Sequence, residues 1–152
     1  MKLSECLLEK ATAVQVTAVD KREILAGLIA LIEQTNGIMD TASLLAEVMR
    51  REELGSTGIG KGVAIPHVHL ENVNELHVAM MTSTSGVDFG AIDDEPCRIF
   101  IMVVAPDSKR ETYLQLLAEV SRLFRHDEVR EAALESQTPA ELLDVLRKSE
   151  RK

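Results

Sequence analysis

Basic residues are in short supply in this 152-residue chain, where Lys and Arg number 17 against 25 Asp and Glu for a formal charge of -8. That deficit speaks against an electrostatic grip on nucleic acid or on an anionic membrane surface. Cysteine is scarcer still. The two present, Cys6 and Cys97, stand far apart with no secretion signal ahead of them, a pattern of reduced thiols in a cytoplasmic protein rather than of a disulfide framework. The opening MKLSECLLEK has a glutamate inside any would-be hydrophobic region, so it does not read as a signal peptide. Long apolar runs are missing too: the longest, Ile99 to Ala105, is far too short to span a bilayer. Repeats and low-complexity segments are also lacking. The expectation is a soluble cytoplasmic protein with no membrane insertion, no nucleic-acid partner and a single domain over residues 1–152.

What is present is ordinary globular composition, 45% apolar and 28% charged, which excludes disordered, collagen-like and coiled-coil chains. Asp20 with Glu23 predicts a capped helix start, and Ile24, Leu25, Leu28, Ile29 and Ile32 form its apolar face until Asn36-Gly37 stops it. Asp40 or Thr41 restarts a second helix with the stripe Leu44, Leu45, Val48 and Met49, ending near Arg50 to Glu52. Leu54 to Gly62 holds four glycines and reads as a loop rather than a regular element. Short strands are expected at Val63 to Ile65, closed by Pro66, and at Leu76 to Thr82. The β-branched run Ile99 to Val104 predicts a strand buried on both faces. Ser108 with Glu111 predicts a second capping box for a helix bearing Leu116, Leu117, Val120 and Phe124, and His126 a capping residue for a shorter segment through Val129 and Ala133. Thr138, Pro139 and Glu141 open the last helix. The alternation predicts an α/β fold with a mixed β-sheet sandwiched between helices.

Two features of the middle of the chain bear on chemistry. Gly55 to Lys61, GSTGIGK, matches most of a P-loop, but Gly62 stands where Ser or Thr would hold magnesium, and the loop runs from helix to strand rather than from strand to helix. Nucleotide binding is therefore set aside. Directly after it comes Ile65-Pro66-His67-Val68-His69. Histidine, with an ordinary pKa of about 6.5, is largely neutral and nucleophilic near neutral pH. A neutral ring nitrogen beside backbone amides, the hydroxyls of Ser56 and Thr57 and the guanidinium of Arg51 is what a phosphoryl-accepting site needs, and it needs no cofactor or metal. His67 and His69 share a strand face and could chelate a metal, but His77 would have to join from another strand and no cysteine or carboxylate sits at ligand spacing. Arg50 should point away from Arg51 as a solvated neighbour.

The segment Arg51 to His67, REELGSTGIGKGVAIPH, resembles the signature of the fructose and mannitol type EIIA domain of the bacterial phosphoenolpyruvate-dependent phosphotransferase system. The shared LGSTGIG loop is most similar to the stand-alone nitrogen-regulatory branch. The resemblance implies that His67 takes a phosphoryl group from an HPr-like phosphocarrier protein, with Arg51 as the active-site arginine; from the chemistry of the loop itself, Ser56, Thr57 and Gly58 are expected to hold phosphoryl oxygens. It also implies a role in nitrogen regulation or sugar transport, through EIIB or through regulated transporters and sensor kinases. Where relatives carry a second histidine near the start of the helix after the Ala105-Pro106 strand end, this chain has Tyr113, and His69 follows the acceptor histidine where a small or polar residue is common. Both are possible modulators of the site. A tyrosine donates a hydrogen bond but does not titrate near neutrality, which favours a phosphorylation state that is read over one that is passed on.

Overall fold

A computed structural model of the protein describes residues 2–35, 40–71 and 73–151. The β-branched run becomes β6 (Cys97–Pro106), the central strand of one mixed sheet with β1 (Thr12–Val16), β2 (Gly58–Gly60), β3 (Val63–Ala64), β4 (His67–Leu70) and β5 (His77–Val87). The order is β1-β5-β6-β3-β2, with β4 also on β6. β5 lies antiparallel to β6, while β3 and β4 run parallel to it on its other edge. The helices are α1 (Leu3–Cys6), α2 (Lys21–Glu33), α3 (Thr41–Leu54), α4 (Arg110–Leu123), α5 (Asp127–Glu135) and α6 (Pro139–Glu150).

Strand periodicity sorts β6 into two cores. Ile99, Ile101, Val103 and Ala105 pack with Leu3, Leu116, Val120, Leu142 and Leu146, so one face is covered by α1, α4, α5 and α6. Phe100, Met102 and Val104 pack with Ile24, Leu28, Ile32, Leu44 and Val48 from α2 and α3 on the other. A strand covered twice has no polar face, which is why its sequence is a continuous apolar run. Each such large side chain contributes about 1.5–3 kcal/mol when fully buried. Among the described residues no helix is long and apolar enough to cross a membrane. Cys6 and Cys97 are free, and burial pushes the Cys97 thiol up to about 11.

The caps follow the sequence in three of the five helices for which one was expected. Asp20 accepts from the Glu23 amide at 2.8 Å, Asp40 from Ser43 at 3.0 Å and Thr138 from Glu141 at 3.1 Å. Glu23 does not close the expected reciprocal pair, since its carboxylate reaches the Val19 amide instead. The Asn36-Gly37 stop lies outside the described residues. The Ser108 capping box does not form: Asp107–Lys109 is a single 3-10 turn, so Ser108 sits inside it and cannot take the extended backbone of a cap, and Lys109 precedes the helix with no side-chain cap. His126 occupies the cap position of α5 but makes no side-chain cap bond.

Around the glycine segment the structure departs further from expectation. Helix α3 continues to Leu54, where Arg51 Nη1 donates to the Gly55 carbonyl at 2.8 Å and closes the last turn. Gly58–Gly60 is a short strand, not loop, because the chain reverses through left-handed backbone at Gly60 (φ 99°), Lys61 (φ 58°) and Gly62 (φ 81°) and pairs β2 with β3. Gly58 is also a close approach, since a Cβ there would lie 2.7 Å from the Ala91 Cβ. Pro66 interrupts its strand without ending it. The Pro66 carbonyl still accepts from the Val103 amide at 2.9 Å, and β4 resumes beside β6 in unbroken register, from Val63 opposite Ile99 to His67 opposite Val103. β5 also runs past Thr82 to Val87, because β6 starts early enough at Cys97 to pair with it.

Candidate functional site

The unbroken register fixes where the histidines point. Val63 and Ile65 belong to the core under α4, Ala64 and Val68 to the core under α2 and α3, so alternation turns His67 and His69 toward α4. There they meet Tyr113, whose ring centroid lies 5.6 Å from that of His67 and 3.9 Å, edge-on, from that of His69. Tyr113 is buried, a floor rather than a rim. Over it opens a cavity of about 520 Å³ whose lining includes His67, His69, Arg51, Arg110, Tyr113 and Leu114.

His67 Nδ1 lies 2.6 Å from the Ile65 carbonyl. A carbonyl only accepts, so Nδ1 carries the proton and Nε2 keeps its lone pair when the ring is neutral. Burial chiefly, with a smaller push from the Arg51 charge, lowers the His67 pKa below 6.5, against the opposing pull of the Ile65 carbonyl. The ring is thus neutral and its free nitrogen nucleophilic at neutral pH. His69 is lowered by burial and by Arg110, with Asp107 opposing. Burial raises Tyr113, so its hydroxyl stays protonated at neutral pH.

The structure brings together Arg51, His67, His69 and Tyr113 around one cavity and sets the expected oxygen-holding trio apart from its lining. Ser56, Thr57 and Gly58 do not line the cavity, and their groups are engaged within the loop. The Ser56 hydroxyl donates to the Phe89 carbonyl and accepts from the Gly58 amide at 3.0 Å. The Thr57 hydroxyl and amide both donate to the Glu52 carboxylate. Sequence reasoning missed Glu52 altogether: it is buried, and Lys21 Nζ approaches its Oε1 to 2.8 Å. It also missed Arg110, which stands one helical turn before Tyr113, a spacing that places both on one side of α4. Arg50 is exposed, as expected, and pairs with Glu47 at 2.7 Å, but it lines the same cavity as Arg51 rather than pointing away from it.

The other histidines stay apart. His77 lies on the opposite face of the sheet, its Nδ1 2.7 Å from the Thr35 hydroxyl, and His126 is exposed. Among the described residues no group of three or more His, Cys, Asp or Glu is placed to hold a metal ion.

Residues 5–149 match the family model described as "Phosphoenolpyruvate-dependent sugar phosphotransferase system, EIIA 2". The chain is 34% identical over 119 residues to a fructose-specific EIIA component of Haloferax volcanii, covering 78% of this chain and 77% of that one. It is 26% identical over 146 residues to a nitrogen regulatory protein of Pseudomonas aeruginosa, covering 96% and 95%. It matches a fructose-specific EIIABC component of Bacillus subtilis at 26% identity as well, but spans only 23% of that longer protein. In fold it superposes on the nitrogen regulatory protein IIA-Ntr of Neisseria meningitidis with a TM-score of 0.88 at 24% identity, over 95% of this chain and 98% of that one. It superposes also on the Escherichia coli complex of mannitol enzyme IIA with phosphorylated enzyme IIB, with a TM-score of 0.78 at 19% identity over 91% and 95%. A match over nearly the whole length, on the sheet and helices described above, places the chain in the EIIA 2 family of the phosphoenolpyruvate-dependent sugar phosphotransferase system.

Proposed function

We propose that the chain is a regulatory phosphocarrier that accepts a phosphoryl group on His67 Nε2 from a phosphorylated HPr-like protein. The observation that carries this reading is the 2.6 Å contact of His67 Nδ1 with the Ile65 carbonyl, which leaves Nε2 free at the mouth of an arginine-lined cavity. The Nε2 lone pair attacks phosphorus as the nitrogen–phosphorus bond of the donor breaks, and that electron pair stays on the donor's imidazole. The Ile65 carbonyl shares the positive charge that develops on the His67 ring. The Arg51 and Arg110 guanidinium groups face the phosphoryl oxygens, whose charge is spread over all three in the transition state. Leu54 and Leu114, both exposed beside the cavity, give the partner an apolar rim to press against. The regulatory reading rests on Tyr113, a buried tyrosine at the α4 position where relatives carry a second histidine, whose hydroxyl does not titrate near neutrality.

Incubation with phosphoenolpyruvate, enzyme I and HPr, followed by intact-mass measurement, tests the reading. One acid-labile, base-stable phosphoryl group should be added, and His67→Ala should abolish it while keeping the fold. Undiminished labelling of that variant would overturn the assignment.

A further inference from the structure

His69, a possible modulator with no specific role from the resemblance, lines the same cavity as His67. On β4 it shares a face with His67, about 7 Å away along the strand by the rise of two residues. Tyr113 lies under both rings and holds His69 edge-on at 3.9 Å. Each imidazole also has an arginine acting on it, Arg51 on His67 and Arg110 on His69, so two imidazole–arginine pairs face one cavity. The nitrogens of the other buried or half-buried histidines are differently employed. His67 Nδ1 is held by Ile65 and His77 Nδ1 by Thr35, whereas within the described residues no side-chain hydrogen bond engages His69.

We propose that His69 is a second phosphoryl-facing residue, which donates a hydrogen bond to the group carried on His67 and takes up a proton from solvent when that group arrives. The proposal rests on His67 being the acceptor. Before loading, the charged and titratable groups that share the cavity with His69 or act on it are Arg110 and Tyr113 from α4, Asp107 from the turn before it, Glu47, Arg50 and Arg51 from α3, and His67 on its own strand. Burial and Arg110 outweigh Asp107 in that set, so the resting ring is neutral and keeps a single N–H. A dianionic phosphoryl group reverses the balance, since a nearby negative charge favours the protonated imidazole. Loading and protonation are then coupled, and His69 does on β4 what no group on α4 can do.

The test follows the His69 ring by NMR in the full-length protein, titrated before and after loading by enzyme I and HPr. The His69 pKa is expected to rise by about one unit or more on loading, as an adjacent opposite charge produces. His69→Ala should shorten the lifetime of the phosphorylated form at least threefold and flatten its pH dependence between pH 5.5 and 7.5, a range centred near the ordinary histidine value of about 6.5. His69→Gln, which keeps an N–H donor but cannot titrate, should restore the lifetime and not the pH dependence. A His69 pKa that does not move on loading overturns the proposal, and so does a wild-type lifetime and pH profile in His69→Ala. Phosphorylation of His69 itself in the His67→Ala protein overturns it too, by making His69 an acceptor. Failure of the wild-type chain to gain any phosphoryl mass is a separate result, which removes the His67 reading and this one with it.

Discussion

Arg51 serves two structures with one side chain. One N–H closes the C-terminal turn of α3 on the Gly55 carbonyl, and the guanidinium faces the cavity beside His67. Lysine can still approach a helix C-terminus but lacks the planar fork that contacts two oxygens at once. Arg51→Lys is therefore expected to slow phosphoryl transfer more than tenfold, roughly 1.4 kcal/mol of transition-state stabilisation, while urea unfolding shows little change. An unaltered rate would mean that Arg110 suffices. Tyr113 separates in the opposite sense, because its ring is buried under both histidines and belongs to the core with Leu116 and Val120. Tyr113→Phe keeps that floor and should leave transfer within about threefold, within the sub-kilocalorie range of volume-conserving changes. Tyr113→Ala removes it and should cost about 3 kcal/mol in urea unfolding, in line with other buried aromatic truncations.

The element that presents the site is the turn from α3 through β2 into the proline-interrupted strand, and a buried carboxylate holds it. Glu52 takes the Thr57 amide and hydroxyl and pairs with Lys21, which also donates to the Phe89 carbonyl at 3.3 Å. Glu52→Ala strands two donors and a cation, so it is expected to cost about 3 kcal/mol, the scale for breaking a buried pair. Transfer should slow with it, because Arg51 is the preceding residue on the same turn. A stable variant with ordinary transfer would show that the loop holds itself. This carboxylate was not legible in the sequence, where it stands within Arg50-Arg51-Glu52-Glu53 and reads as part of a solvated run; only the tertiary position of Lys21 and Thr57 identifies it. Legible were the elements with strong periods, α2, α3, α4 and the buried β6, and the histidine delivered after Pro66. Gly58–Gly60 was not, because a glycine-rich strand lacks the β-branched signal and is held by pairing with β3 alone. Nor was the engagement of Ser56 and Thr57, since a hydroxyl's partner depends on what the fold brings near it, here Phe89 and Glu52.

At the scale of the whole molecule, His67, His69 and His77 lie on two faces of the sheet and share one property: burial lowers all three below the ordinary histidine value of 6.5. For His67 and His69 an arginine adds to that effect; for His77 the nearby Glu75 opposes it. Each group then binds fewer protons folded than unfolded, and stability rises with pH wherever that difference exists. Their contribution is complete above about pH 6.5 and is lost as pH falls through the lowered native values. The carboxylates with resolved shifts, Asp40, Asp93 and Asp144, all move down from 3.8 and titrate only at lower pH, which leaves the window below 6.5 to the imidazoles. The urea midpoint should hold steady from pH 8 to 7 and fall between pH 6.5 and 5, around the histidine range of about 6.5. His77→Gln should flatten part of that fall, because His77 is the most deeply buried of the three by its exposed surface and Thr35 is its only hydrogen-bond partner among the described residues. The same acidification should reduce phosphoryl acceptance, since a protonated His67 has no lone pair on Nε2, and His77→Gln should leave that loss unchanged. A midpoint that stays constant or rises between pH 7 and 5 would show that the imidazoles do not couple folding to protons.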